Sequence, residues 1–128
     1  MTRLLIIAAL AASSSVAAAQ SQAVPTTLTE WKIGMRDTVQ AGRVTFRVSN
    51  TGSVNHALYI RGEGVDQGTR EIPVRQSANL TVTLKPGTYE VFCPLADESH
   101  KMAGMTRKLV VTPGAAAPAP APPKKPAG

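Results

Sequence analysis

The chain has 128 residues, a formal net charge of +6, two histidines and a single cysteine. That length gives room for one domain once the ends are set aside, and one cysteine excludes an internal disulfide. The lysines and arginines form no basic run and aromatic residues make up only 4% of the chain, which argues against a nucleic-acid groove.

Residues 1–19 read as a signal peptide. Arg3 supplies the positive charge, residues 4–12 an apolar run, and Ala17, Ala18 and Ala19 a small-residue cleavage site before Gln20. The run is too short to span a bilayer, so the chain is expected to be periplasmic or secreted, with no stable membrane insertion after cleavage. Removing Arg3, and setting aside Lys124 and Lys125 in the tail, leaves the folded part near +3. A mildly basic surface of that kind steers acidic partners toward it.

Residues 20–25 read as a short leader. Residues 26–35, rich in β-branched side chains and holding Trp31, are expected to form the first strand, and Val39 with the Ala41-Gly42 turn leads into the next. Residues 43–49 carry the cleanest alternation, with Val44, Phe46 and Val48 on one face and Arg43, Thr45 and Arg47 on the other. After the turn cluster at 50–53, residues 54–61 form a strand on which Leu58 and Ile60 point inward, and period two puts His56 on that inward face. Residues 65–71 read as a polar loop and 72–75 as a weak strand. Residues 79–84 form a strong strand with Leu80, Val82 and Leu84 inside. Lys85-Pro86-Gly87 makes a tight turn, and residues 88–93 place Tyr89, Val91 and Cys93 on one face until Pro94 ends the ladder. The loop at 95–104 has no apolar periodicity, and residues 106–112 form the last strand.

Seven to eight short strands with no convincing helix predict an all-β antiparallel sandwich spanning residues 26–112. Residues 113–128, mostly alanine and proline, have nothing to bury and read as a disordered tail.

Cys93, taken alone, reads as a buried inert thiol, half of an intermolecular bridge, or a metal ligand. Its neighbours favour the last. His56 and Cys93 both point into the sandwich from different strands, and the loop after Cys93 returns with His100 and Met105. Two imidazoles, one thiolate and a weak thioether form a trigonal copper electron-transfer site, and every cysteine and histidine of the mature chain falls within it. Met102 is the second choice for the thioether, because it follows His100 too closely to wrap beneath the metal.

AGRVTFRVSNTGSVNHALYI, with the first histidine, and LKPGTYEVFCP…H….GM, with the remaining ligands, resemble the cupredoxins, the blue copper proteins related to plastocyanin, azurin and rusticyanin. The resemblance covers roughly residues 26–112. It implies a Greek-key β-sandwich and one copper per chain cycling between Cu(I) and Cu(II), with His56, Cys93 and His100 as strong ligands and Met105 as the axial one. It also implies a tyrosine corner at Tyr89. Two departures stand out: six residues separate Cys93 from His100, where relatives have two to four, and Ala57 stands where many relatives have an asparagine that pins the ligand loop. Asp97 and Glu98, in the longer interval, either bulge outward or approach the metal, and Asn55 is the nearest substitute for the missing asparagine.

The function expected is that of an exported one-electron carrier, monomeric, with redox proteins as partners and His100 as the electron port. Pro94, Leu95, Met102 and Ala103 are expected to form its apolar rim. No base–nucleophile pair or acidic dyad points to an enzyme. A periplasmic copper chaperone or storage protein is the alternative, and a metal-free binding module the third reading.

Overall fold

The computed structural model describes residues 21–114. The signal peptide read at 1–19 and nearly all of the tail lie outside the described residues.

Nine strands and one short helix follow one another: β1 (Gln22–Thr29), β2 (Lys32–Gly34), β3 (Thr38–Gln40), β4 (Gly42–Asn50), β5 (Tyr59–Gly62), β6 (Val65–Gly68), β7 (Ser77–Leu84), β8 (Gly87–Phe92), α1 (Ser99–Met102) and β9 (Thr106–Thr112). They build one sheet in the order β2-β1-β4-β7 and another in the order β3-β9-β8-β5-β6. Neighbours distant in sequence, such as β4 with β7 and β3 with β9, require the chain to cross between sheets, as a Greek key does. The all-β sandwich stands as expected. The sheets are mixed, however, because β1 pairs with β4 and β3 pairs with β9 in parallel.

The core follows from period-two burial. Val44, Phe46 and Val48 of β4 share the buried face of one sheet with Leu80, Val82 and Leu84 of β7, and Tyr89, Val91, Leu109 and Val111 line the other. Each fully buried side chain of this size contributes roughly 1.5–3 kcal/mol relative to exposure. The tyrosine corner is present: the Tyr89 hydroxyl donates to the Lys85 carbonyl at 2.8 Å and accepts from the Lys85 N–H at 3.0 Å. Burial raises the Tyr89 pKa.

Several boundaries differ from the sequence reading. The segment read as a leader supplies half of β1, which starts at Gln22 and carries Pro25 in its middle. Proline is tolerated there because β2 pairs only with Thr27–Thr29, so β1 is the sheet edge at Pro25 and no ladder donor is lost. The single strand expected at 26–35 is instead a hairpin, turning at Glu30 and Trp31 between Thr29 and its partner Lys32. The loop expected at 65–71 contains β6, which caps the exposed edge of β5. The weak strand at 72–75 reduces to one bridge between His56 and Ile72. Phe92, which alternation would send outward into water, is 1% exposed. Its ring is covered by the Arg61 guanidinium at 4.8 Å and the Lys101 ammonium at 4.5 Å.

Candidate metal centre

His56, Cys93 and His100 meet at one end of the sandwich. One ligand atom from each lies within 4.8 Å of the others, and theirs is the group of this kind found among the described residues. Cys93 and His56 are fully buried, and His100 is partly exposed.

His56 arrives by a different route from the one the sequence suggests. β5 begins only at Tyr59, and His56, Ala57 and Leu58 are buried in succession, so this segment runs between the sheets without strand alternation. Its backbone is fixed by the bridge to Ile72, with His56 N–H to Ile72 carbonyl at 3.2 Å and the return bond at 2.7 Å. Asn50 organises the preceding turn. The Asn50 side-chain amide donates to the carbonyls of Val54 at 2.8 Å and Ile72 at 2.9 Å, and its oxygen accepts from the Gly52 N–H at 3.0 Å. On the ring, Nε2 lies 3.2 Å from Glu30 Oε1. Nδ1 is buried and has no hydrogen-bond partner.

Cys93 follows β8 directly. Its N–H bonds to the Met105 carbonyl at 3.0 Å, closing the base of the ligand loop. The sulfur accepts from the Ala57 N–H at 3.4 Å and lies 3.6 Å from His100 Nδ1.

His100 sits on the one-turn helix α1, which buries none of its residues and so leaves no apolar pattern in the sequence. The chain enters it through Ala96, Asp97 and Glu98, all left-handed at φ of 55°, 49° and 64°. Each costs roughly 1–2 kcal/mol for a residue with a Cβ. These extra residues are exposed, and neither carboxylate joins the cluster: Glu98 lies 4.0 Å from Arg61 instead. The insertion bulges outward. Asn55 does not reach the ligand loop either, since its amide donates to Glu71 at 2.6 Å.

Met105 is fully buried in the core cluster, whereas Met102 is 80% exposed. Met105 N–H bonds to the His100 carbonyl at 3.1 Å, which ties the thioether residue to the histidine's own backbone. Leu95 is partly buried and Met102 and Ala103 are exposed around this end. Trp31, 48% exposed, stands edge-on to His100 with ring centroids 5.2 Å apart.

The places of Glu30 and Trp31 beside the histidines are hidden in the sequence, where residues 26–35 read as one continuous strand. A glutamate and a tryptophan between Thr29 and Lys32 interrupt its alternation, and that interruption was the signal of a two-residue turn. Glu30 also accepts from the N–H groups of Ser53 at 2.6 Å and Val54 at 3.2 Å. These bonds, the Ser53 one foremost and His56 adding to it, lower the Glu30 pKa to about 2 against the opposing effect of desolvation.

The donor set suits a soft or borderline transition metal. A buried imidazole nitrogen without a partner normally costs free energy, and His56, whose Nδ1 is such a nitrogen, meets the Cys93 sulfur and a second imidazole. A bound ion would satisfy all three.

A family model described as a cupredoxin-like domain matches residues 2–111. The fold is similar to that of sodium-dithionite-reduced auracyanin from the photosynthetic bacterium Roseiflexus castenholzii, with a TM-score of 0.63 and 21% identity over 73% of this chain and 98% of that one. Auracyanin B is similar at a TM-score of 0.62 and 20% identity, over 79% of this chain and 96% of that one. A multi-copper oxidase from Pediococcus acidilactici is similar at a TM-score of 0.57 and 15% identity, where 88% of this chain spans 31% of the larger protein. At these identities the likeness is one of fold. No curated protein matches the sequence.

Proposed function

This chain belongs to the cupredoxin-like family, and on that premise we propose that it is an exported mononuclear copper protein acting as a one-electron carrier between redox partners. The observation that carries the reading is the meeting of His56, Cys93 and His100 around a buried imidazole nitrogen with no other partner. His56 Nδ1, Cys93 Sγ and His100 Nδ1 would hold the ion, with Met105 as the axial thioether. Copper, when bound, supplies a one-electron couple between Cu(I) and Cu(II).

The rest is work for the protein. The sandwich holds His56 and Cys93 in place and keeps water from that side. The partly exposed His100 offers an edge for electron exit, with Trp31, Leu95 and Met102 around it giving a small apolar surface for transient docking. The chain is proposed to act as a monomer without catalytic activity, in the periplasm or outside the cell, its mildly basic folded part meeting acidic partners. No helix among the described residues is long and apolar enough to cross a membrane.

The test is to express residues 20–128, add one equivalent of Cu(II), and record visible and spin-resonance spectra. An intense thiolate-to-copper band in the wild type, lost in Cys93→Ser, is expected. A wild type that stays colourless and binds no copper overturns the reading. Met105→Leu is expected to keep the band and raise the reduction potential, and the same shift in Met102→Leu instead would reassign the axial ligand. The chaperone alternative predicts rapid transfer of Cu(I) to an acceptor and sluggish redox cycling.

A further inference from the structure

The turn between β1 and β2 sends one side chain to each histidine of the site: Glu30 to His56 at 3.2 Å and Trp31 to His100 at 5.2 Å between ring centroids. We infer that Glu30 is a positioning residue for the copper site, whose carboxylate holds the Nε2–H of His56, presents Nδ1 to the metal and shifts the couple toward Cu(II). This rests on the copper reading above.

A carboxylate can only accept hydrogen bonds, so the Nε2···Oε1 contact requires the proton on Nε2. In a neutral imidazole Nδ1 then carries a lone pair, and it is this nitrogen that is buried without a partner. The carboxylate is fixed before any metal arrives, because the same oxygen takes the N–H groups of Ser53 and Val54. Gly52 makes room for it: a Cβ there would overlap Glu30 Oε1 and stand 3.0 Å from His56 Nε2. Carboxylate–histidine–metal arrangements orient the ring and raise the basicity of the ligand nitrogen. Greater basicity and a nearby negative charge both favour the more highly charged metal ion.

Two measurements test this. The first uses nitrogen-detected NMR of the metal-free protein at neutral pH. His56 is expected as the Nε2–H tautomer in the wild type and as a mixture of both tautomers in Glu30→Ala. The Nδ1–H tautomer in the wild type would overturn the proposal without reference to copper. The second is the reduction potential of the copper-loaded protein. Glu30→Gln, which removes the charge but can keep the turn's hydrogen bonds, is expected to move the Cu(I)/Cu(II) ratio about tenfold toward Cu(I), or about 59 mV for one electron. Gly52→Ala, which keeps the charge but displaces the carboxylate, is expected to shift it in the same direction. A lowered unfolding midpoint in both variants with a ratio within threefold of wild type would leave Glu30 a purely structural residue and sink the inference. A wild type that takes no copper would refute the carrier function, while the tautomer measurement would still decide what Glu30 does.

Discussion

The two histidines of the site stand 5.3 Å apart between ring centroids, yet they are held in contrasting ways. His56 is built into the sandwich. Its backbone is bridged to Ile72, its preceding turn is pinned by three bonds of the Asn50 side chain, and its ring is tied to Glu30. His100 hangs on a single helical turn with no buried residue, entered through three consecutive left-handed residues. A metal site made this way has one rigid wall and one adaptable wall. If the centre carries copper as proposed, a difference in geometry between its two oxidation states is expected to fall on the His100 side.

The contrast can be broken by mutation. The largest effect is expected from Asn50→Ala on the rigid side, which removes the buried amide that donates to the Val54 and Ile72 carbonyls and accepts from the Gly52 N–H. We expect a loss of about 3 kcal/mol in urea unfolding of the metal-free protein, and a loss below about 1 kcal/mol would show that the wall is not fixed there. Ala96→Gly on the adaptable side should act with opposite sign. It relieves a left-handed φ of 55° at an exposed site, and a gain of about 0.5–1 kcal/mol in the same assay is expected. Destabilisation instead would mean that the left-handed run is braced by something other than its own backbone.

The smallest effect concerns the ion pair that anchors the helix carrying His100. Lys101 Nζ lies 2.7 Å from Glu90, and this hydrogen bond, more than any other cause, holds the Glu90 carboxyl below its ordinary pKa of 4.5. A depressed carboxyl stabilises the fold above its unfolded pKa, and that contribution fades as pH falls below about 4.5 toward the folded value. The pair is partly exposed and screened by salt, so about 0.5 kcal/mol is expected. Glu90→Gln should remove this component of the pH dependence of stability, and an unchanged acid limb would assign it to other groups.

The parts of the molecule that were legible from sequence are those governed by local period or by a turn with fixed chemistry. The faces of β4 and β7, the corner at Tyr89 and the end of β8 just before Cys93 all follow from one short stretch each. The meeting of His56, Cys93 and His100 was legible too, because the chain holds so few histidines and cysteines. What stayed hidden depends on distant partners. Pro25 disguised half of β1, whose place is decided by β4 more than twenty residues away. The helix at 99–102 has no apolar face to announce it. Glu30 acquires its role only when the hairpin brings it to Ser53, Val54 and His56, and nothing in its own neighbourhood encodes that meeting.

The parallel pairing of Thr38–Gln40 with Val110–Thr112 ties together two segments about seventy residues apart. Every candidate ligand precedes residue 106, so a nascent chain possesses the whole donor set before β9 exists. Until β9 is made, β8 lacks the neighbour on one side and β3 has no sheet at all. A contact spanning so much of the chain is slow to form, because loop closure is costly before any pairing compensates it. β9 therefore acts as the latch of the sheet whose strand β8 leads into Cys93: by sitting between β3 and β8 it joins the early part of the fold to the strand that delivers the sulfur.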